Sequence, residues 1–353
     1  MRFTFLLTTV FLFGNYQLLV AQCCSGGGGG ASSLAGNFAQ GVLAKNQFEI
    51  NMNFQHTNTQ KFMTGNSRME MEDYHALASN NYLHGYNNNF LYTRLGFGLT
   101  DKLTLSVETG YYLNKTEYRR GYLVDEASST GFSDLIIFPK YNVFYRKTEK
   151  HTTEITLGMG IKIPVGSHND SILVYTDSVS GVEWYDTKSP SIQLSSGSND
   201  FQFFGSVSRR FIPLKMGISL SSFYIHKGRN PDGGKYGNYF STSLFAMKDI
   251  LPNFVGVAQF KSEVTGTKTK PPGLENVVSS ADLAANSGSI KFMFVPRLVY
   301  TLKCRLSFFV FTEIPMYQYV TGIQLASNLN AVLGVSFRTS PKAKPTIEPE
   351  ILE

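Results

Sequence analysis

From residue 47 onward the chain repeats one unit: a run of about ten residues in which apolar and polar side chains alternate, followed by a break. In the first run, the side chains at 48, 50, 52 and 54 are apolar, whereas those at 49, 51 and 53 are polar. Because successive side chains of a strand point to opposite faces, this alternation is typical of a β-strand with one apolar face. We therefore expect an all-β chain with twelve strands, at 47–55, 90–99, 103–113, 134–145, 153–165, 200–210, 215–225, 238–247, 254–264, 289–301, 305–317 and 328–338.

The breaks between the runs alternate in length. Breaks after odd-numbered runs are long, at 56–89, 114–133, 166–199, 226–237, 265–288 and 318–327. Breaks after even-numbered runs are short, at 100–102, 146–152, 211–214, 248–253 and 302–304. A tilted strand needs roughly 9–11 residues to cross a bilayer, and outer-membrane barrels join such strands by short periplasmic turns and long outer loops. The sequence therefore predicts an antiparallel transmembrane β-barrel of about 12 strands wired in this way.

The N-terminus has the pattern of a secretory signal peptide. Arg2 supplies a positive charge, an apolar stretch follows at 3–13, and Leu19-Val20-Ala21 can precede a cleavage site. We expect a signal peptide at 1–21, a Gly-rich periplasmic segment at 22–46, the barrel at 47–338 and a periplasmic tail at 339–353. An even number of strands places both ends of the barrel in the periplasm. A less favoured alternative is lipidation of Cys23. The lipidation signal requires a small residue immediately before the cysteine, and Gln22 stands there.

Composition excludes several classes of protein. Only 16% of the residues are charged, against roughly 25% in an average soluble domain. After the leader no apolar run reaches the 18 residues typical of a membrane-spanning helix. The net charge is +6, but the basic residues are spread singly, so no nucleic-acid partner is expected.

Four short segments, in chain order, resemble the outer-membrane barrel family named for the meta-pathway of phenol degradation and related outer-membrane transporters. They are Gly-Phe-Ser-Asp at 131–134, Gly-Met-Gly-Ile-Lys-Ile-Pro-Val-Gly at 158–166, Gln-Leu-Ser-Ser-Gly-Ser-Asn-Asp at 193–200, and Ile-Pro-Met-Tyr-Gln-Tyr at 314–319. The resemblance covers roughly 131–338. It implies an outer-membrane barrel that transports small solutes, apolar ones among them, and it brings no catalytic residues.

If the more apolar face of each strand points to lipid, the other face carries charged residues of nearly balanced sign. These candidate lumen residues are Glu49, Arg94, Glu108, Lys140, Glu154, Lys162, Lys291, Arg297, Arg305 and Glu313. They could form a structural ion-pair network or select a charged solute. The same face also carries Ile136, Phe138, Phe144, Phe309 and Phe311, which indicates either a packed interior or a partly apolar solute.

The sequence offers little for catalysis or metal binding. Its six histidines fall at strand ends, turns or loops, so we expect no enzyme and no cofactor. A metal site is not expected either, although soft ligands occur at Cys23, Cys24, Met69, Met71 and His75.

The sequence therefore favours a bacterial outer-membrane channel or transporter whose partners are outer-membrane lipid and a small solute. Two alternatives stay open: a non-transporting surface barrel that binds partners through its long outer loops, and a barrel that handles soft metals. Nothing in the sequence indicates an oligomeric state.

Overall fold

A computed structural model describes residues 41–70, 82–120, 124–273, 286–302 and 305–339. These residues form the following strands: β1 (Phe48–Thr59), β2 (Lys61–Gly65), β3 (Ser67–Arg68), β4 (Tyr82–Gly98), β5 (Leu103–Arg120), β6 (Glu126–Phe132), β7 (Leu135–Lys147), β8 (His151–Ile163), β9 (Ser171–Thr176), β10 (Glu183–Thr187), β11 (Asp200–Phe211), β12 (Met216–His226), β13 (Tyr239–Leu251), β14 (Phe254–Thr265), β15 (Ser289–Thr301), β16 (Leu306–Ala326) and β17 (Leu329–Arg338). No helix in the described ranges is long and apolar enough to span a membrane.

Twelve long antiparallel strands close into a barrel. Their order around the wall is β1, β4, β5, β7, β8, β11, β12, β13, β14, β15, β16 and β17. The wall closes because β17 pairs with β1, with Glu49 opposite Arg338 and Asn58 opposite Leu329. Each barrel strand overlaps one of the twelve predicted runs, so the predicted fold and strand number are confirmed.

The two ends of the barrel differ. Thr339 donates its backbone N–H to the carbonyl of Phe48 at 2.9 Å, so the first and last strands end side by side. We call this end, which also carries the short turns, the terminal end. The opposite end carries the long connections and is called the loop end. The small strands β2, β3, β6, β9 and β10 lie within or beside those connections.

The outer surface of the barrel is apolar. Along β1, Met52 is 47% exposed whereas the next residue, Asn53, is 4% exposed. Other large apolar side chains exposed on the barrel strands include Leu95, Val107, Leu157, Phe203, Leu220, Leu244, Phe260, Phe292, Leu298, Val310 and Leu333. Such a continuous apolar surface is stable in a bilayer and not in water.

The prediction of a last outer loop at 318–327 is wrong. β16 continues to Ala326, and only residues 327–328 separate it from β17. The reason is that the backbone at 320–326 finds partners in β2, with Val320 opposite Gly65 and Ala326 opposite Lys61. The pairing shifts register between Val320 and Ile323, where Gly322 has a φ of 67° that favours glycine.

Two residues predicted to face the lumen face outward or lie in a turn. Phe144 is 44% exposed, because a β-bulge between Asn142 and Phe144 shifts the register and interrupts the alternation there. Arg305 is exposed in the turn before β16, where it has a φ of 66°. Face parity cannot anticipate either change, because a bulge or turn interrupts the two-residue period.

Candidate functional site

The interior of the barrel is the candidate site, because the strands direct most of the predicted charged residues into it. Near the terminal end Glu49 accepts hydrogen bonds from Arg94 Nη2 at 2.6 Å and from Arg338 Nη2 at 2.9 Å. Both the Arg94 and Glu49 side chains are 4% exposed. β1 lies between β4 and β17, so the register places this carboxylate between the two guanidinium groups.

Glu108 and Lys140 in this region are also buried, and Glu154 is partly buried. Glu108 accepts from Tyr92 Oη at 2.6 Å and from Ser106 Oγ at 3.0 Å. Lys140 is buried on β7, two strands from Arg94. Glu154 accepts a hydrogen bond from Asn142 Nδ2 at 2.8 Å.

A second network lies across β13 to β17. Lys261 is fully buried, with its Nζ 2.5 Å from Glu263 Oε1 and 3.0 Å from Glu313 Oε1. Glu313 also accepts from Asn330 Nδ2 at 2.8 Å. Lys291, another predicted residue, is buried directly opposite Glu263 on the neighbouring strand. Because charges buried in this way require partners, these groups stabilise one another.

A third network joins the loop end to the wall. Lys162 Nζ lies 2.6 Å from Asp134 Oδ2 and 3.2 Å from Asp200 Oδ2, and it donates to Ser196 Oγ at 2.6 Å. Lys227 Nζ lies 2.9 Å from the same Asp200 oxygen. Burial lowers the pKa of Lys227, and the Asp200 carboxylate opposes that shift. Lys162 is thus occupied by ion pairs that hold loop residues against the strands.

Apolar clusters fill the interior between these networks. One cluster contains Ile136, Phe138, Phe204, Phe223, Ile225 and Tyr239. Another, on the opposite wall, contains Met293, Val295, Phe309, Phe311 and Val332. Arg297, a predicted lumen residue, lies with its guanidinium carbon 4.3 Å from the centre of the Phe311 ring. Its charge is therefore placed against an aromatic face.

The inward aromatic rings lie over glycines of the next strand. A Cβ built on Gly158 would lie 2.7 Å from Phe138 Cε1, and one on Gly110 would lie 2.5 Å from Phe90 Cε2. Both distances are below those that real Cβ atoms show. These glycines give the rings room along the wall, where larger residues would push the rings away from it.

The residues that precede β1 turn into the terminal end of the barrel. Leu43 is buried, and its backbone N–H donates to Thr104 Oγ1 at 2.7 Å. A Cβ built on Gly98 would lie 2.8 Å from the carbonyl carbon of Ala44, so glycine permits this close approach. Asn46 also donates its N–H to the Gly98 carbonyl at 2.8 Å. The short segment 41–46 thus narrows the interior at this end.

Residues 189–199, which we call the lid, fold into the loop end. Ile192 is fully buried in a cluster with Phe62, Tyr86, Ala127 and Leu325. This burial is what makes the segment part of the interior and not an exposed loop.

Polar contacts at Ser189, Ser191 and Gln193 hold the lid to the barrel wall. Glu117 on β5 accepts from Ser189 and Ser191, and it forms an ion pair with Arg119. Lys115 Nζ donates to the Gln193 carbonyl at 2.6 Å.

Sequence reasoning misses several of these residues. Lys261 and Glu263 stand two apart on one run, so the same parity argument could have found them. Lys115 and Glu117 lie beyond a register shift in β5, where parity fails. Leu43 and the lid come from segments without alternation, so no periodic signal marks them.

The described residues contain no group of three or more His, Cys, Asp or Glu side chains that could hold a metal ion. Met69 packs against the apolar cluster around Ile192, which is a structural role. The other soft candidates, Cys23, Cys24, Met71 and His75, lie outside the described residues.

No protein family model matches the chain, and no curated protein matches it. A solved outer membrane channel from Pseudomonas putida F1 is similar, with a TM-score of 0.57 and 12% identity over 85% of this chain and 97% of that one. The translocator domain of the autotransporter NalP from Neisseria meningitidis has a TM-score of 0.45 and 10% identity, over 88% of this chain and 93% of that one. The beta domain of the Bordetella autotransporter BrkA has a TM-score of 0.43 and 9% identity, over 84% of this chain and 100% of that one. The first likeness shows that the chain has the fold of an outer-membrane β-barrel, and the resemblance to the phenol meta-pathway family stays a hypothesis.

Proposed function

We propose that this chain is a channel of the bacterial outer membrane that passes small solutes with an apolar part. The observation that carries the proposal is the division of the inner wall. Many of its charged side chains are engaged in three ion-pair networks, whereas large apolar side chains occupy the space between them. Paired charges attract a charged solute weakly, and the apolar clusters favour a solute that can contact aromatic rings.

A row of small side chains supports passage along one side of the interior. Ser206, Ser221 and Ser243 are direct neighbours on β11, β12 and β13. Ser221 and Ser243 are buried, and Ser243 Oγ accepts from Gln259 Nε2 at 3.0 Å. Serine occupies little volume, so the wall beside these residues takes less of the bore than the aromatic clusters do. Solute passage then requires displacement of the lid and of the segment 41–46.

A second candidate function is partner binding at the loop end. The hairpin of β9 and β10 exposes Trp184 by 63%, Tyr185 by 60% and Val179 by 94%. Aromatic residues are enriched at protein interfaces, which favours this alternative. The two functions are compatible, because the hairpin and the interior are separate parts of the chain.

The test of the channel proposal is solute uptake by proteoliposomes that contain the purified full-length protein. A panel would include a sugar, an amino acid, and uncharged amphipathic solutes of similar size such as diols of increasing chain length. The proposal predicts uptake above that of empty liposomes, with amphipathic solutes entering faster than sugars of equal size. Uptake equal to that of empty liposomes for the whole panel would favour the surface-binding alternative.

A further inference from the structure

One residue of the lid occupies an apolar slot in the wall. Leu194, which is 9% exposed, packs with Phe90, Tyr92 and Tyr112. The centres of the Phe90 and Tyr112 rings are 4.6 Å apart, so these two rings pack against each other and form an aromatic floor for the slot. These three aromatic residues belong to β4 and β5 and would remain in place if the lid moved away.

Two glycines adapt the neighbouring backbone to this insertion. A Cβ built on Gly131 would lie 2.8 Å from Leu194 Cδ1, and Gly131 has a φ of 148° that favours glycine. A Cβ built on Gly166 would lie 3.3 Å from the carbonyl carbon of Leu194. The surroundings of the slot are therefore shaped to admit an inserted branched apolar group.

A buried cation stands beside the slot. Lys115 is 5% exposed, and its Nζ lies 4.8 Å from the centre of the Tyr112 ring. Its hydrogen-bond acceptor is the Gln193 carbonyl oxygen, at 2.6 Å. Within the ranges that the structure describes, Lys115 forms no ion pair, since the nearby Glu117 is engaged by Arg119 and Ser191. A buried ammonium group binds a carboxylate more strongly than a neutral carbonyl.

The lid thus presents two groups side by side, an isobutyl side chain to aromatic rings and an acceptor oxygen to a buried ammonium. We infer that Leu194 and the Gln193 carbonyl fill a solute subsite, and that the subsite takes a small amphipathic carboxylate when the lid lifts. The apolar part of the solute would replace Leu194 against the rings of Phe90, Tyr92 and Tyr112. Its carboxylate would replace the Gln193 carbonyl on Lys115. This inference rests on the proposed function, because it assigns the subsite to a solute that passes through the barrel.

The test is equilibrium dialysis of the full-length protein in lipid nanodiscs, with empty nanodiscs as the blank. The probes are 4-methylpentanoate, which combines an isobutyl group with a carboxylate, and 4-methylpentan-1-ol, which lacks the charge. Leu194→Ser removes the competing side chain, so we expect the Kd for 4-methylpentanoate to fall about threefold or more. Val179→Ser, in the same connection but exposed, is the matched control and leaves the Kd unchanged.

Lys115→Met keeps the length of the side chain and removes its charge. We expect it to raise the Kd for 4-methylpentanoate about tenfold and to leave that for the alcohol unchanged, whereas Lys115→Arg retains carboxylate binding. Folding of each variant is checked by its heat-modifiable mobility on gels. The inference is overturned if Leu194→Ser fails to tighten binding in folded protein, or if Lys115→Met binds both probes as the parent does.

The two proposals fail in distinguishable ways. If the dialysis results are as expected but proteoliposomes take up none of the solutes, the channel proposal fails and the subsite remains. If uptake occurs while the Leu194 and Lys115 variants bind as the parent does, the channel stands and the subsite is wrong.

Discussion

The ring of Phe309 on β16 occupies the space that a side chain at Gly334 on β17 would need. The two residues are direct cross-strand partners, and a Cβ built on Gly334 would lie 2.6 Å from Phe309 Cε2 and 2.7 Å from Asn53 Cβ. Phe309 is buried in the apolar cluster of that wall, so the glycine and the ring together set how the interior is packed where the barrel closes.

Gly334→Ala should therefore destabilise the barrel, by about 1–3 kcal/mol, because the ring must move away from its packed position. The control is Gly205→Ala on β11, where a Cβ would meet Leu157 Cδ2 at an ordinary 3.6 Å. The free energy of unfolding in urea, measured in lipid vesicles, checks both variants. Equal stability of the two would contradict this account of Phe309 packing.

Arg94→Met should cost about 3–5 kcal/mol of unfolding free energy, because it leaves the buried Glu49 carboxylate short of a partner. Arg210→Met is the matched control, since Arg210 forms its 2.9 Å ion pair with Asp249 while 62% exposed. An exposed pair contributes about 0–1 kcal/mol. The same urea titration compares them, and a similar loss in both variants would mean that the Glu49 network adds no special stability.

Leu220→Arg should hinder assembly, because Leu220 is half exposed in the middle of the lipid-facing side of β12. A cation at the bilayer midplane costs about 2–4 kcal/mol. Leu214→Arg should assemble normally, since Leu214 is 56% exposed in the turn at the terminal end. Folding yield into vesicles is the measurement, and equal yields would place the membrane boundary elsewhere.

We expect the terminal end to face the periplasm and the loop end to face outward. An epitope inserted after Val179, at the tip between β9 and β10, should bind antibody on intact cells. The same epitope inserted between Pro252 and Asn253, in the turn joining β13 to β14, should bind only after the cells are opened. The reverse labelling pattern would invert the topology.

The two-residue period of alternation determines how much of this structure the sequence predicts. Alternation locates all twelve barrel strands, because every one has an apolar outer face and a mixed inner face. It does not find the ends of β4 and β5, which extend past the predicted runs to Tyr82 and Arg120. It also misplaces Phe144, because one bulge interrupts the alternation.

In the interior, too, the alternation predicts some features of the structure and not others. The period assigns Glu49 and Arg94 to one face, but only the register reveals that Glu49 lies between Arg94 and Arg338, which are 45 and 289 residues away from it. The insertion of Leu194 into an aromatic slot leaves no periodic trace, because it depends on how a long connection folds back over the barrel.

The central claim is that solutes pass through the interior, and two adjacent serines of β12 test it most directly. Ser221 is buried inside the barrel, whereas Ser222 is only partly buried on the opposite side of the strand, where its Oγ lies 3.2 Å from Thr242 Oγ1. Uptake of an amphipathic diol is measured in proteoliposomes with the parent protein, Ser221→Trp or Ser222→Trp, after folding of each is verified. The account predicts uptake reduced severalfold by Ser221→Trp and unchanged by Ser222→Trp. Equal uptake by the two folded variants, or none above empty liposomes in the parent, would contradict it.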